Sequence, residues 1–122
     1  MALVCRGLRG ATTARDNTKE AIIEATRELL ERMIEANAIK ADDVAAAFFT
    51  TTQDLNAEFP AVAARQMGWE HVPLICGHEM RVPDALPLCI RVMALVNTEK
   101  RPQEMVHTYL RDAKDLRSRG VS

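Results

Sequence analysis

The chain has 122 residues, 48% apolar and 27% charged, with a formal net charge of −1. That supports one domain with one modest core, and the balanced charge excludes the global basic field that nucleic-acid binding needs. No run approaches the ~20 apolar residues of a membrane span, so no membrane role is expected.

The opening "MALVCRGLRG" has no apolar run long enough for a signal peptide. The cysteines, Cys5, Cys76 and Cys89, are odd in number, far apart and outside any zinc-site spacing. These features predict a reduced, cytoplasmic protein with free thiols.

Along the chain, "ALVCRGLRG" is a short β-compatible stretch ending in glycine, and "TTARDNTKEA" is a turn. Asn17 is placed to cap a helix, with Glu20 three residues on as reciprocal partner. That helix runs to about Asn37, with Ile22, Leu29 and Met33 on one face and Ile23, Leu30 and Ile34 flanking it. A strand follows from Val44 to Thr51, apolar enough to be covered on both faces. A loop leads to a short helix starting near Phe59 and Pro60 and stopped by Gly68. Val72 to Cys76 is a short strand, "RVPDALP" a loop, and "LCIRVMALV" (Leu88 to Val96) the longest strand candidate. A last helix is predicted over Gln103 to Asp112, before a polar tail from about residue 113 whose order the sequence leaves open. The order β-α-β-α-β-β-α predicts an α/β (α+β) fold, a mixed sheet with packed helices, whose open edges call for a homo-oligomer.

One residue breaks the last strand's apolar run. An unpaired buried charge costs several kcal/mol, so Arg91 has either a permanent acidic partner or an anionic ligand. Other polar groups flank the strands: Arg6 and Arg9, Cys76 and Glu79, Arg65, Tyr109 and Arg117. Taken singly these are ordinary: Arg9 and Glu79 as surface residues, Cys76 as a small core residue, Tyr109 as an anchored core phenol. Arginine outnumbers lysine 12 to 4; that suits two-pronged capture of carboxylates, although a GC-rich genome produces the same bias. There is no Gly-rich phosphate loop, nucleophile elbow or metal-ligand pair. His71, His78 and His107 stand beside no evident nucleophile. Spacing alone therefore reaches an arginine-rich anion site with one carboxylate, and an enzyme built this way needs neither covalent intermediate nor cofactor.

"RGLRGATT" at 6–13, "FPAVAAR" at 59–65, "VPLIC" at 72–76 followed by "EM" at 79–80, "CIRVM" at 89–93 and "HTYLRDAKDLR" at 107–117 resemble the monofunctional AroH-type chorismate mutases. These are small α/β proteins distinct from the all-helical chorismate mutases. The resemblance spans Arg6 to Arg117, nearly the whole chain. It implies a homotrimer with a pseudo-α/β-barrel core and active sites in clefts between subunits. It also implies an isomerase of aromatic amino acid biosynthesis that rearranges chorismate to prephenate without cofactor. By position, Arg91 would be the cation at the breaking ether oxygen and Arg9 would pair with a substrate carboxylate. Tyr109 would bond the enolpyruvyl carboxylate, while Glu79 and Cys76 would hold the ring hydroxyl. Phe59, Ala61, Leu74 and Ile75 would form the apolar wall, with Arg65 and Arg117 at the rim.

Three positions depart from the family pattern. Val62 stands where members often carry a charge, the loop between Met67 and Trp69 is one residue shorter, and Ile75 occupies a position that can be polar. They bear on affinity and leave Arg9, Glu79 and Arg91 untouched. Two other classes of function compete: a non-catalytic dicarboxylate-binding trimeric module, and a structural oligomer with Arg91 paired to an acid across the interface. Loss of turnover with retained binding distinguishes the first; dissociation on removing Arg91 distinguishes the second.

Overall fold

A computed structural model describes residues 2–116. Five strands form one mixed sheet: β1 (Val4–Thr13), β2 (Val44–Thr51), β3 (Leu74–His78), β4 (Cys89–Thr98) and β5 (Thr108–Tyr109). Their order across the sheet is β3-β2-β4-β1-β5. The pairs β1/β4 and β2/β4 are antiparallel, and β1/β5 and β2/β3 are parallel. Two helices, α1 (Lys19–Asn37) and α2 (Ala61–Gln66), accompany the sheet.

Period-two alternation gives each strand two faces. Leu8, Gly10 and Thr12 of β1 share a face with Ala47 and Phe49 of β2 and Ile90, Val92 and Ala94 of β4. All are buried, and Leu29, Leu30 and Met33 of α1 join the same core. Gly10 is where α1 comes closest: a Cβ there would lie 2.5 Å from Met33 Sδ. The opposite face is open. Phe48, Ile75 and Met93 on it are 42%, 60% and 37% exposed. The double-sided cover predicted for β2 is therefore absent from the single chain.

Thr12 sits in the helix-covered face with its hydroxyl fully buried and, among the described residues, without a hydrogen-bond partner. Valine has the same shape and no orphan. Thr12→Val is expected to stabilise the fold by about 1 kcal/mol, seen as a higher urea midpoint at unchanged slope. An unchanged or lower midpoint would mean that the hydroxyl is satisfied.

Element boundaries move at several places. β1 continues to Thr13 where a turn was predicted, because Ala11, Thr12 and Thr13 pair with Arg91, Ile90 and Cys89. The cap of α1 is Thr18, whose side chain accepts from the Ala21 N–H at 3.2 Å. Asn17 is occupied elsewhere: its Oδ1 accepts from the N–H groups of Asn56 (2.9 Å) and Ala57 (3.0 Å). Gly68 ends α2 at a φ of +94°, as its sequence position predicted. β3 lies two residues later than predicted. β4 begins at Cys89, since Leu88 turns at a φ of +52° with its N–H on Asp54 Oδ2 at 2.9 Å.

The predicted last helix is replaced. A 3-10 turn at Pro102–Glu104 leads to β5, and a second 3-10 turn spans Arg111–Asp115. Val106, Thr108 and Tyr109 are β-compatible residues, and partners distant in sequence hold this segment extended. Of the tail, Ala113 and Leu116 are buried, and Arg117 lies outside the described residues.

Candidate active site

One row crosses the open face. Tyr109 of β5 pairs with Ala11 of β1, Ala11 with Arg91 of β4, Arg91 with Thr50 of β2, and Thr50 with Gly77 of β3. Small residues thus flank Arg91 and leave room above the sheet between it and Tyr109. Arg9, two residues before Ala11 and opposite Met93, projects on the same face. Glu79 follows β3 directly; its N–H donates to the Thr51 carbonyl at 2.8 Å, which turns its side chain toward the row.

Arg91 and Glu79 form a two-pronged pair. Arg91 Nε donates to Oε2 at 2.7 Å and Nη2 to Oε1 at 2.5 Å, and Thr50 Oγ1 also donates to Oε2. This fork fixes the guanidinium plane. The Arg91 side chain remains 33% exposed, so the pair is half-wet. The pair borders a cavity of about 320 Å³, walled by Met80, Leu86, Cys89 and Leu116.

The electrostatics keep both charges in place. The hydrogen bond to Glu79 raises the Arg91 pKa against the opposing effect of burial. Burial pushes the Glu79 carboxyl up, but the hydrogen bonds from Arg91 and Thr50, with the charge of Arg91, bring it below its ordinary value. Burial pushes the Cys89 thiol up to about 11, so it lines the cavity as a neutral group.

Other predicted residues gather elsewhere. Phe59, 67% exposed, and Cys76 line a separate cleft of about 290 Å³ with Leu55, Glu58 and His78. Burial raises the Cys76 thiol's pKa, partly offset by a hydrogen bond with the backbone of Ala61. Leu74 packs against the core, and Ile75 lies beside Phe48 on the open face. Arg65 Nη1 donates to the carbonyls of Glu70 and Val72, both at 3.1 Å, and to that of Trp69, pinning the loop after α2. Within one chain, therefore, Arg9, Glu79, Arg91 and Tyr109 share one face, Phe59 and Cys76 line another cleft, and Ala61 packs against the core.

The sequence reading missed Thr50, Cys89 and Leu116. Thr50 carries a signal in hindsight, since a strand threonine opposite a charged residue can donate to its partner. The other two depend on folding of the tail. Among the described residues, no group of three or more His, Cys, Asp or Glu is placed to hold a metal ion. No helix there is long and apolar enough to cross a membrane.

Comparison with known proteins places the chain in a family. The sequence profile of the family described as chorismate mutase type I matches residues 5–119. The chain is 51% identical over 113 residues to the chorismate mutase AroH of Thermus thermophilus, covering 92% of this chain and 93% of that protein. It is 43% identical over 116 residues to the corresponding protein of Bacillus subtilis, covering 94% and 91%. A solved chorismate mutase from Clostridium thermocellum superposes with a TM-score of 0.88 at 48% identity, covering 88% of this chain and 96% of that one.

Proposed function

Since this chain belongs to the type I chorismate mutase family, and is thus an isomerase that converts chorismate to prephenate in aromatic amino acid biosynthesis, we propose that it works around the fixed Arg91 cation. The rearrangement is unimolecular: no proton or group is transferred. As the C–O bond breaks ahead of C–C formation, negative charge gathers on the ether oxygen and positive charge on the ring. A guanidinium already held in place stabilises that charge more in the transition state than in the bound substrate.

The single observation that carries this reading is the forked Arg91–Glu79 pair on a half-open cavity. Glu79 keeps the guanidinium plane fixed, offers an acceptor to the ring hydroxyl, and faces the developing positive charge. Arg9 pairs with a carboxylate and Tyr109 with the enolpyruvyl carboxylate. The charge of Glu79 repels a dianion, which weakens a receptor built only to bind one, so catalysis is favoured over the binding-module reading.

The apolar wall comes from a neighbouring copy. The exposed Phe48, Ile75 and Met93 on one sheet face support burial against such a copy. The family resemblance supports a homotrimer with sites in the clefts between subunits. There Phe59, Ala61, Leu74, Ile75 and Cys76 of one chain complete the Arg91 cavity of the next and select the compact conformer. Arg65 shapes the rim through the loop it pins; Arg117, the other rim cation of the resemblance, lies outside the described residues. Three free thiols fit a cytoplasmic location.

Loss of chorismate absorbance with purified protein, in chelator and without added cofactor, tests the reading. Saturable first-order conversion to prephenate is expected. A folded oligomer that leaves chorismate unchanged would overturn it.

A further inference from the structure

β5 is two residues long, too short for its own ladder bonds to place it. Two side chains hold the segment instead, Asn37 from α1 and His107 from the segment itself. Asn37, the last residue of α1 and 1% exposed, bonds the main chain of Val106 in both directions. Its Nδ2 donates to the Val106 carbonyl at 2.9 Å, and its Oδ1 accepts from the Val106 N–H at 2.8 Å. A further bond from Nδ2 to the Met33 carbonyl at 2.9 Å fixes the amide on its own helix. The next residue, His107, bonds to the sheet. Its Nδ1 accepts from the backbone N–H of Arg9 at 3.0 Å.

That contact replaces a missing strand. Backbone pairing between β1 and β5 begins at Gly10 and Thr108, so the imidazole takes the place of a ladder acceptor for Arg9. An accepting Nδ1 leaves the ring proton on Nε2. Two residues further on, Tyr109 pairs with Ala11, and the Leu110 N–H donates to the Ala11 carbonyl at 2.9 Å. Arg9 and Tyr109 thus belong to one short circuit of bonds closed by His107.

We propose that His107, backed by Asn37, is a positioning residue for the reaction: it ties the main chain of Arg9 to the strand carrying Tyr109 and sets the spacing of the two groups that take the substrate carboxylates. The inference rests on the roles given above to Arg9 and Tyr109. Because carboxylate binding acts on substrate and transition state alike, mispositioning appears in KM more than in kcat.

His107→Leu, His107→Gln and His107→Asn test it. The asparagine Oδ1 lies as far along the side chain as Nδ1 does, and the glutamine oxygen one atom further. KM for chorismate is expected to rise about tenfold in the Leu and Gln variants, with kcat within about threefold. The Asn variant is expected to stay within about twofold of wild type. It should also keep slow amide exchange at Arg9, which the other two lose. If the Leu variant does not fold, the Asn and Gln pair decides. Unchanged KM in the Leu and Gln variants, or equal losses in Asn and Gln, would overturn the proposal. Arg9→Ala and Tyr109→Phe run in parallel separate the two failures. If neither raises KM, the carboxylate assignment has failed, and exchange at Arg9 alone then decides whether His107 holds β1 to β5.

Discussion

Mixed oligomers of Arg91→Ala and Phe59→Asp chains are expected to regain about one active site in three, although each variant alone converts chorismate at near-background rate. Arg91→Ala removes the cation proposed to face the ether oxygen, an expected loss of ~10²–10³ or more in rate. Phe59→Asp sets a carboxylate in the wall against a dianionic substrate. Such like-charge contact costs several kcal/mol, roughly a hundredfold or more in kcat/KM. Phe59 is largely exposed in the single chain, so folding should tolerate the change. In the proposed closed ring of three, each site spans one head-to-tail junction. Every mixed ring then has one junction where an intact Arg91 cavity meets an intact Phe59 wall. Chains with different tags, co-expressed and purified through both, give those rings. Mixed rings no more active than their parents would place the whole site on one chain and contradict the shared cleft.

The two alternatives for Arg91 converge here. An acidic partner exists within the same chain: Glu79 holds the guanidinium through two bonds. That partner leaves a third of the side chain exposed at a cavity. A pair made purely for the fold gains by full enclosure, or by replacement with apolar residues. A pair made for a ligand needs one edge of the guanidinium anchored; Glu79 anchors Nε and Nη2, and a third of the side chain stays exposed.

Much of the scaffold was legible because local pattern and tertiary packing agree. The spacing of Ile22, Leu29 and Met33 marks α1, and Gly68 ends α2 through a left-handed turn. Arg91 declared itself as a charge in an apolar strand. What stayed hidden depends on contacts between residues far apart in sequence. The local pattern at β5 reads as a helix because nothing near it reveals that Asn37 bonds Val106 and that Arg9 bonds His107. The cap of α1 moved to Thr18 because Asn17 is used by a loop 39 residues away. The division of the site residues between two clefts follows from register. Ile75 pairs with Phe48 on the open face and Cys76 with Phe49 on the covered one, and a sequence gives that parity only once β3 is correctly placed.

The charge at position 91 is the centre of this account, and its test is kcat for chorismate in Arg91→Lys and Arg91→Met, two unbranched replacements of similar length that differ in charge. With both variants at the wild-type oligomeric size, Arg91→Met is expected to lose ~10³ or more in kcat and Arg91→Lys to recover at least about tenfold of that loss. Equal rates in the two variants, or an Arg91→Met rate within about tenfold of wild type, would contradict electrostatic catalysis by Arg91.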